Sequence, residues 1–85
     1  MYTVYLLEST KDASWYIGYT QNIAIRLKQH NNGASQATKP KMPWKIIYCE
    51  CYINKADAKG RELFLKSGSG RKFLHKQLNN YLNKK

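Results

Sequence analysis

Two short apolar runs, each carrying a tyrosine, place the strongest constraint on how this chain can fold. The first run spans Val4 to Leu7 and the second spans Trp15 to Tyr19. Residues 9–13, between the two runs, are rich in turn-forming side chains. The pattern predicts an antiparallel hairpin in which Tyr5 lies roughly opposite Tyr16, so that two phenols share one face of a sheet.

A helix is predicted directly after the second run. Thr20 or Asn22 can cap its N-terminus, and the helix runs to about Asn31. Arg26 and His30 are i,i+4 neighbours at the margin of its apolar stripe. Both side chains can therefore point toward the edge of the sheet.

The remaining sequence predicts a third strand and two further helices. Gly33 to Pro43 reads as a polar surface loop, Trp44 to Tyr52 as a strand, and residues from about Lys55 to Lys66 as a helix. A break at residues 67–70 precedes a last helix from about Arg71 to Leu82. The predicted fold class is α+β, with a three-stranded antiparallel sheet flanked by helices in the order β-β-α-β-α-α, in one domain over residues 1–85.

The two cysteines lie in the third predicted strand. Strict alternation places Trp44 and Tyr48 on one face of that strand and Cys49 and Cys51 on the other. Two cysteines on the same face of one strand have poor geometry for a local disulfide. Neither histidine completes a zinc-ligand spacing with them. We therefore expect reduced, half-buried thiols.

The charge of the chain is strongly one-sided. Lys and Arg number 15 against 5 Asp and Glu, which gives a formal charge of +10. Such an excess indicates a polyanionic partner, most simply nucleic acid, with an anionic membrane surface as the rival. The sequence has no apolar run of about 18 residues, and its N-terminus does not resemble a signal peptide. A cytoplasmic, monomeric protein is the expectation.

The few carboxylates limit the possible metal chemistry. Glu8 and Asp12 border a turn, where solvated acids are ordinary. Glu62 lies in the middle of a predicted helix, where it can pair with Lys59 or Lys66 or face a site. A two-metal centre needs more acids than this chain offers. A single divalent ion on one carboxylate, completed by water and phosphate oxygens, is the design that the sequence allows, and Mg²⁺ tolerates it.

The tyrosine, arginine and histidine residues admit two interpretations. Tyr5 and Tyr16 can be ordinary strand residues, and Arg26 and His30 can be solvated helix residues. As a general base, a tyrosine needs its pKa lowered from about 10 by nearby positive charge. In that second interpretation Arg26 stabilises a pentavalent phosphate and His30 orients or shuttles a proton. The residues by themselves leave both open.

Five sequence pieces, in order, resemble the GIY-YIG nuclease family over nearly the whole chain. They are Val4 to Leu7, Trp15 to Thr20, Arg26 to His30, Pro43 to Tyr48, and Arg61-Glu62 leading into residues 65–74. The resemblance implies a three-stranded antiparallel sheet flanked by helices. It also implies hydrolysis of a phosphodiester bond with one divalent metal, Mg²⁺ or Mn²⁺.

The resemblance assigns a role to each candidate residue. The two signature tyrosines fall on Tyr5 and Tyr16, the helix arginine on Arg26, the frequent histidine on His30 and the metal-binding glutamate on Glu62. In the implied mechanism Tyr5 or Tyr16 helps to activate water and Glu62 holds the metal against the scissile phosphate. Arg26 and His30 stabilise charge and manage protons.

Two departures from the family pattern stand out. Val4 and Leu6 flank the first signature tyrosine, so the first signature is degenerate. Many family nucleases also carry an asparagine about a dozen residues after the glutamate. Here that region reads Lys72 to His75, and the nearest asparagines, Asn79 and Asn80, come later. One family contact is therefore unassigned.

The functional expectation is a DNA endonuclease that is structure-directed or weakly specific, with DNA repair among its expected settings. RNA stays an alternative substrate, and a protein that targets the domain stays an alternative partner. Individually the lysines and arginines read as solvated, but together they indicate phosphate contact. The residues expected to contact DNA around the concave face are Lys28, Lys39, Lys41, Arg71 and Lys72. A non-catalytic nucleic-acid-binding module is the alternative function, and a protein–protein adaptor ranks third.

Overall fold

The structure, a computed structural model, describes residues 1–84 as one three-stranded antiparallel sheet with helices on both faces. The strand order is β2-β1-β3. The strands are β1 (Tyr2–Ser9), β2 (Trp15–Thr20) and β3 (Trp44–Tyr52), and the helices are α1 (Ile23–Asn31), α2 (Lys55–Lys66), α3 (Gly68–Gln77) and α4 (Asn79–Asn83). The predicted α+β class is confirmed. The last predicted helix differs, since it begins earlier and is divided into α3 and α4.

Strand β1 lies in the middle of the sheet and is buried on both faces. Val4 and Leu6 point to the face that α2 and α3 cover, which we call the α2 face. Tyr5 and Leu7 point to the opposite face, where Ile23 and Leu27 of α1 pack, which we call the α1 face. One strand therefore belongs to two hydrophobic clusters, one on each side of the sheet.

The hairpin register differs from the expected one by two residues. Tyr5 pairs with Gly18, and Tyr16 pairs with Leu7. Because side chains alternate with a period of two, a shift by two residues keeps Tyr16 on the same face as Tyr5. The two phenols are diagonal neighbours on the α1 face.

A bulge in β3 overturns the predicted alternation of that strand. Leu6 pairs with Tyr48 whereas Leu7 pairs with Ile46, so Ile47 is the extra residue. Trp44 consequently packs on the α1 face and Tyr48 on the α2 face. The prediction that Trp44 and Tyr48 share a face is therefore wrong, because one inserted residue inverts the alternation on either side of it.

Strand β3 also holds the cysteines and a partly buried acid. Both cysteines are free, but they are exposed, so the expectation of half-buried thiols is wrong; Cys49 lies opposite Tyr5 in the register. On the α2 face, the Glu50 carboxylate accepts two hydrogen bonds from Arg61, at 2.9 and 3.0 Å, and one from Tyr52 at 2.7 Å. Burial alone would raise the pKa of Glu50, but the bonds from Arg61 and the neighbouring phenols lower it. This network ties β3 to α2.

Side-chain caps set the helix starts. Asn22 caps α1 through the Ile25 amide, and Asn54 caps α2 through the Ala56 amide. Ser67 ends α2 and caps α3, because its hydroxyl accepts a hydrogen bond from the Gly70 amide. Across residues 1–84, none of the helices has the length and apolarity required to cross a membrane.

Gly70 lets α3 pack against the end of α2. A Cβ added at Gly70 would lie 1.9 Å from the carbonyl oxygen of Phe64 and 2.5 Å from Cα of Leu65.

We expect Gly70→Ala to lower the free energy of unfolding by about 2 kcal/mol or more, because the backbone would have to move. Gly60→Ala, in α2 with open space around its Cβ, should raise it by about 1 kcal/mol. Urea denaturation of both variants measures the contrast, and equal effects would contradict the close approach.

Candidate active site

Three of the predicted site residues form a compact cluster on the α1 face. The Tyr5 hydroxyl lies 3.0 Å from Nε2 of His30. The ring of Tyr16 meets the ring of His30 edge to face, with centroids 5.0 Å apart, and lies 6.5 Å from the ring of Tyr5. Tyr5 and His30 are 1% and 0% exposed, so their hydrogen bond is shielded from water.

The hydrogen-bonded chain continues beyond His30 to a residue that the sequence analysis missed. Nδ1 of His30 lies 2.8 Å from Oγ1 of Thr38, and the Thr38 hydroxyl donates to the Ser35 carbonyl at 3.5 Å. These distances fit either neutral tautomer of His30; in the one that matches donation by Thr38 to Ser35, Thr38 accepts from Nδ1–H and Nε2 accepts from Tyr5. In that tautomer the chain runs from the Tyr5 hydroxyl to the loop after α1.

Burial keeps this pair neutral. Loss of water is the main cause that raises the pKa of Tyr5, with the nearby Arg26 guanidinium opposing it and the Tyr16 phenol and the Glu62 carboxylate adding to it. Loss of water also lowers the pKa of His30, and the positive charge of Arg26 lowers it further. A tyrosine that acts as a general base needs a lowered pKa; Arg26 does lower the pKa of Tyr5, but desolvation outweighs it and the pKa is raised.

Arg26 and Glu62 come from two different helices. Arg26 lies on α1, half-buried, with its Nη1 donating to Gln29 at 2.9 Å, and its guanidinium acts on Tyr5. Glu62 lies on α2 with its side chain largely buried, and it pairs with Lys66 at 3.3 Å. Four of the five candidate catalytic residues, Tyr5, Tyr16, Arg26 and His30, thus belong to the α1 face, whereas Glu62 comes from the helix that packs on the other face and has only a weak electrostatic effect on Tyr5.

Gly18 provides the space that Tyr5 occupies. A Cβ at Gly18 would lie 2.6 Å from the Tyr5 hydroxyl oxygen and 2.8 Å from its ring carbon Cζ. Contacts this short do not occur in proteins, so any side chain at this position would displace the phenol. The glycine of the second apolar run is therefore a steric requirement of the site.

The loop that carries Thr38 is fixed by side-chain bonds to the sheet. Trp44 Nε1 donates to the Thr38 carbonyl at 2.9 Å. The side-chain amide of Asn31 donates to the Trp44 backbone carbonyl at 2.9 Å and accepts from the Trp44 backbone N–H at 2.6 Å. Ser9 Oγ donates to the Lys41 carbonyl at 2.7 Å. Sequence alone predicted a surface loop, but these bonds make it a wall of the site.

The predicted DNA-contacting residues divide into two groups. Lys28 lies on α1, and Lys39 and Lys41 lie on the loop beside the cluster; all three are exposed, and Lys41 pairs with Asp12 at 3.2 Å. Arg71 and Lys72 lie on α3, which packs on the α2 face. The structure does not place these five on one concave surface, because α1 and α3 lie on opposite faces of the sheet.

Glu8 is the acid whose environment was predicted wrongly. It is 1% exposed, and its carboxylate accepts hydrogen bonds from Trp15 Nε1 at 3.1 Å and from the Tyr81 hydroxyl at 2.7 Å. The sequence around Glu8 gives no sign of this burial. One donor comes from β2, and the other, Tyr81 of α4, lies 73 residues away along the chain.

The donor set at the site suits one hard divalent cation and no dedicated metal cage. Among residues 1–84, no three His, Cys, Asp or Glu side chains gather into a metal-binding group. Glu62 supplies a single, largely buried carboxylate that is paired with Lys66. Mg²⁺ often keeps several waters and takes one or two carboxylates together with substrate phosphates. Glu62 fits that arrangement.

Comparison with known proteins identifies the class. The family model described as the GIY-YIG catalytic domain matches residues 1–80. The chain belongs to the GIY-YIG family, as its five sequence pieces predicted. Membership places it among proteins built on a nuclease domain that generally works with a divalent metal.

Its relatives include small proteins of the UPF0213 group. One from Clostridium perfringens is 42% identical over 64 residues, which cover 74% of this chain and 68% of the relative. One from Bacillus licheniformis is 42% identical over 59 residues, which cover 68% of this chain. The match spans 61% of that relative, less than two thirds of its length. The solution NMR structure of a UPF0213 protein from Bacillus halodurans is similar, with a TM-score of 0.55 and 30% identity, covering 91% of this chain and 85% of that one.

The buried His30 makes stability depend on pH. Its pKa is lower in the folded chain than its ordinary value of 6.5, so the unfolded chain takes up the proton first as pH falls. The contribution of neutral His30 is fully present above about pH 6.5 and is lost below it, by at most about 1.4 kcal/mol per pH unit. Thermal unfolding across this range should show the slope. His30→Gln should flatten it and His75→Gln should keep it; a slope that persists in His30→Gln would show that other groups cause it.

Proposed function

We propose that this protein is a divalent-metal-dependent endonuclease that hydrolyses phosphodiester bonds in DNA. The observation that carries the proposal is the buried hydrogen-bonded chain from Tyr5 through His30 to Thr38. A buried tyrosine hydroxyl needs some partner, and here that partner is a titratable histidine whose second ring nitrogen is also hydrogen-bonded. A base that is itself oriented by a third group is the arrangement that enzymes use to activate a nucleophile.

The direction of the chain suggests how water is activated. As water attacks phosphorus, its proton moves to the Tyr5 oxygen while the Tyr5 proton moves to Nε2 of His30. Substrate binding must bring this water to a phenol that is 1% exposed in the free protein. Thr38 holds the imidazolium that forms, through Nδ1–H. This route needs no free phenolate, which agrees with the raised pKa of Tyr5. The new bond joins the water oxygen to phosphorus as the bond to the leaving oxygen breaks.

The other site residues act on charge. Arg26 is a permanent cation beside Tyr5 and can pair with the phosphate oxygens as charge builds on them. Tyr16, in ring contact with His30, offers a second hydroxyl toward the same phosphate. Glu62 would hold the divalent cation, which supplies electrostatic stabilisation of the phosphate oxygens when bound. The family's downstream asparagine stays unassigned; Asn79 accepts a hydrogen bond from Asn83 within α4.

Charge supports a nucleic-acid substrate. The chain carries +10, and Lys28, Lys39 and Lys41 are exposed around the α1 face that holds the cluster. Lysines at a phosphate backbone supply affinity without reading sequence. We therefore propose recognition of DNA by backbone and structure, with RNA as the alternative substrate.

Cleavage assays test the proposal directly. Labelled single-stranded, duplex, flap and four-way-junction DNA are incubated with Mg²⁺, Mn²⁺ or EDTA. We expect metal-dependent nicking that falls by roughly a hundredfold or more in both Tyr5→Phe and Glu62→Gln. Circular dichroism of each variant reports whether the fold is intact.

Two matched variants serve as controls for these residue types. Tyr19→Phe changes a tyrosine of β2 that packs on the α2 face, and Asp57→Asn changes an exposed acid in the first turn of α2. Both should cleave like the wild type. Salt-sensitive binding without cleavage of any substrate would instead favour the non-catalytic binding module, and cleavage that survives Glu62→Gln would refute the metal assignment.

Thr38 is expected to act as a positioning residue for His30. Thr38→Val removes the acceptor of Nδ1–H, so cleavage should fall roughly tenfold or more, and the pH–rate profile should shift because the imidazolium loses its partner. Thr38→Ser keeps a hydroxyl, so its cleavage rate and its pH–rate profile should both resemble those of the wild type. A purely structural role for Thr38 would lower stability without moving the pH profile.

A further inference from the structure

A cavity of about 440 Å³ opens on the α2 face of the sheet, away from the Tyr5 cluster. It lies where the end of β1 and the start of β2 meet α3 and α4. Five of its lining residues carry polar or aromatic chemistry: Glu8, Ser14, Trp15, Arg71 and His75. Its volume is within the range of pockets that bind small molecules.

The wall of this cavity is aromatic and cationic. The rings of Trp15 and His75 are stacked, with centroids 4.9 Å apart and planes inclined by 27°. The guanidinium of Arg71 lies 5.9 Å from the centre of the Trp15 ring. His75 and Arg71 are exposed, so this edge of the cavity is open to a ligand. Stacking surfaces beside an arginine are typical of sites for unpaired bases.

The inner part of the cavity is polar. The buried Glu8 carboxylate fixes the indole of Trp15 through Nε1 at 3.1 Å. Ser14 also lines the cavity, but its hydroxyl oxygen is buried and lies beside the Asp12 carboxylate. Glu8 is therefore the group that sets the polarity of this part of the cavity.

The position of the cavity relates it to the cluster. Trp15 and Tyr16 are neighbours in β2, so their side chains point to opposite faces of the sheet. Strand β2 is an edge strand. A nucleic-acid strand that crosses this edge can place a phosphate on the Tyr16 side and a nearby base on the Trp15 side.

We propose that this cavity binds one unpaired nucleotide of a nucleic-acid strand. Its base stacks on the Trp15–His75 pair, and its phosphate pairs with Arg71. The inference rests on the proposed nucleic-acid substrate and narrows it to strands with an unpaired base, such as flaps and branches. A base within a continuous duplex is stacked and paired, and cannot enter.

Binding measured in EDTA tests this cavity independently of cleavage. Fluorescence anisotropy compares a labelled single strand with a duplex of the same sequence. Arg71→Gln and His75→Ala should each weaken single-strand binding roughly tenfold and change duplex binding much less. Lys55→Gln removes an exposed charge on α2, outside the cavity lining, and should affect both ligands equally and slightly. Equal losses of strand and duplex binding in Arg71→Gln and His75→Ala, or a selective loss of strand binding in Lys55→Gln, would overturn the proposal.

The indole N–H of Trp15 gives a second readout. A single strand should shift its NMR resonance in the wild type, and the shift should shrink in His75→Ala. A free nucleoside monophosphate that shifts the resonance while the strand does not would refute binding of a nucleotide within a strand. Selective strand binding without cleavage of any substrate would reject the nuclease and keep the cavity, whereas cleavage without strand selectivity would do the reverse.

Discussion

The hydrogen bond between the Tyr5 hydroxyl and Nε2 of His30 is the interaction on which the rest of the site depends. Both partners are removed from water, so either one left unpaired would cost about 1–3 kcal/mol. The bond joins the central strand to α1. The other ring nitrogen of His30, Nδ1, needs a partner of its own. Thr38 supplies that partner, which obliges the loop after α1 to close over the cluster. Gly18 is required because the phenol occupies the space above it.

Strand β1 makes this cluster rigid by serving two hydrophobic clusters at once. Val4 and Leu6 are held between the sheet and the helices of the α2 face, while Tyr5 and Leu7 belong to the α1 face. A displacement of Tyr5 would therefore disturb packing on the far side of the sheet. Catalytic groups must be held within a fraction of an ångström of productive geometry. A central strand, buried on both faces, is better suited to this than a loop.

The sequence was sufficient for features that depend on local periodicity. The hairpin, the faces of Tyr5 and Tyr16, the caps at Asn22 and Asn54, and the α+β order follow from spacing within a few residues. Features that depend on partners far away along the chain could not be predicted from the sequence. The bulge at Ile47 inverts one end of β3, and Thr38 reaches His30 only because Trp44 holds the loop. No local pattern encodes such contacts.

Electrostatics explains why the resting site is nearly uncharged at its centre. Burial raises the pKa of Tyr5 and lowers that of His30, so both changes favour the neutral pair. Arg26, beside Tyr5, adds a fixed positive charge close to that pair. In the proposed mechanism, an incoming phosphate adds negative charge beside His30 and so favours its protonated form. The Tyr5 proton would then pass to His30 as Tyr5 takes a proton from water, so that no free phenolate accumulates.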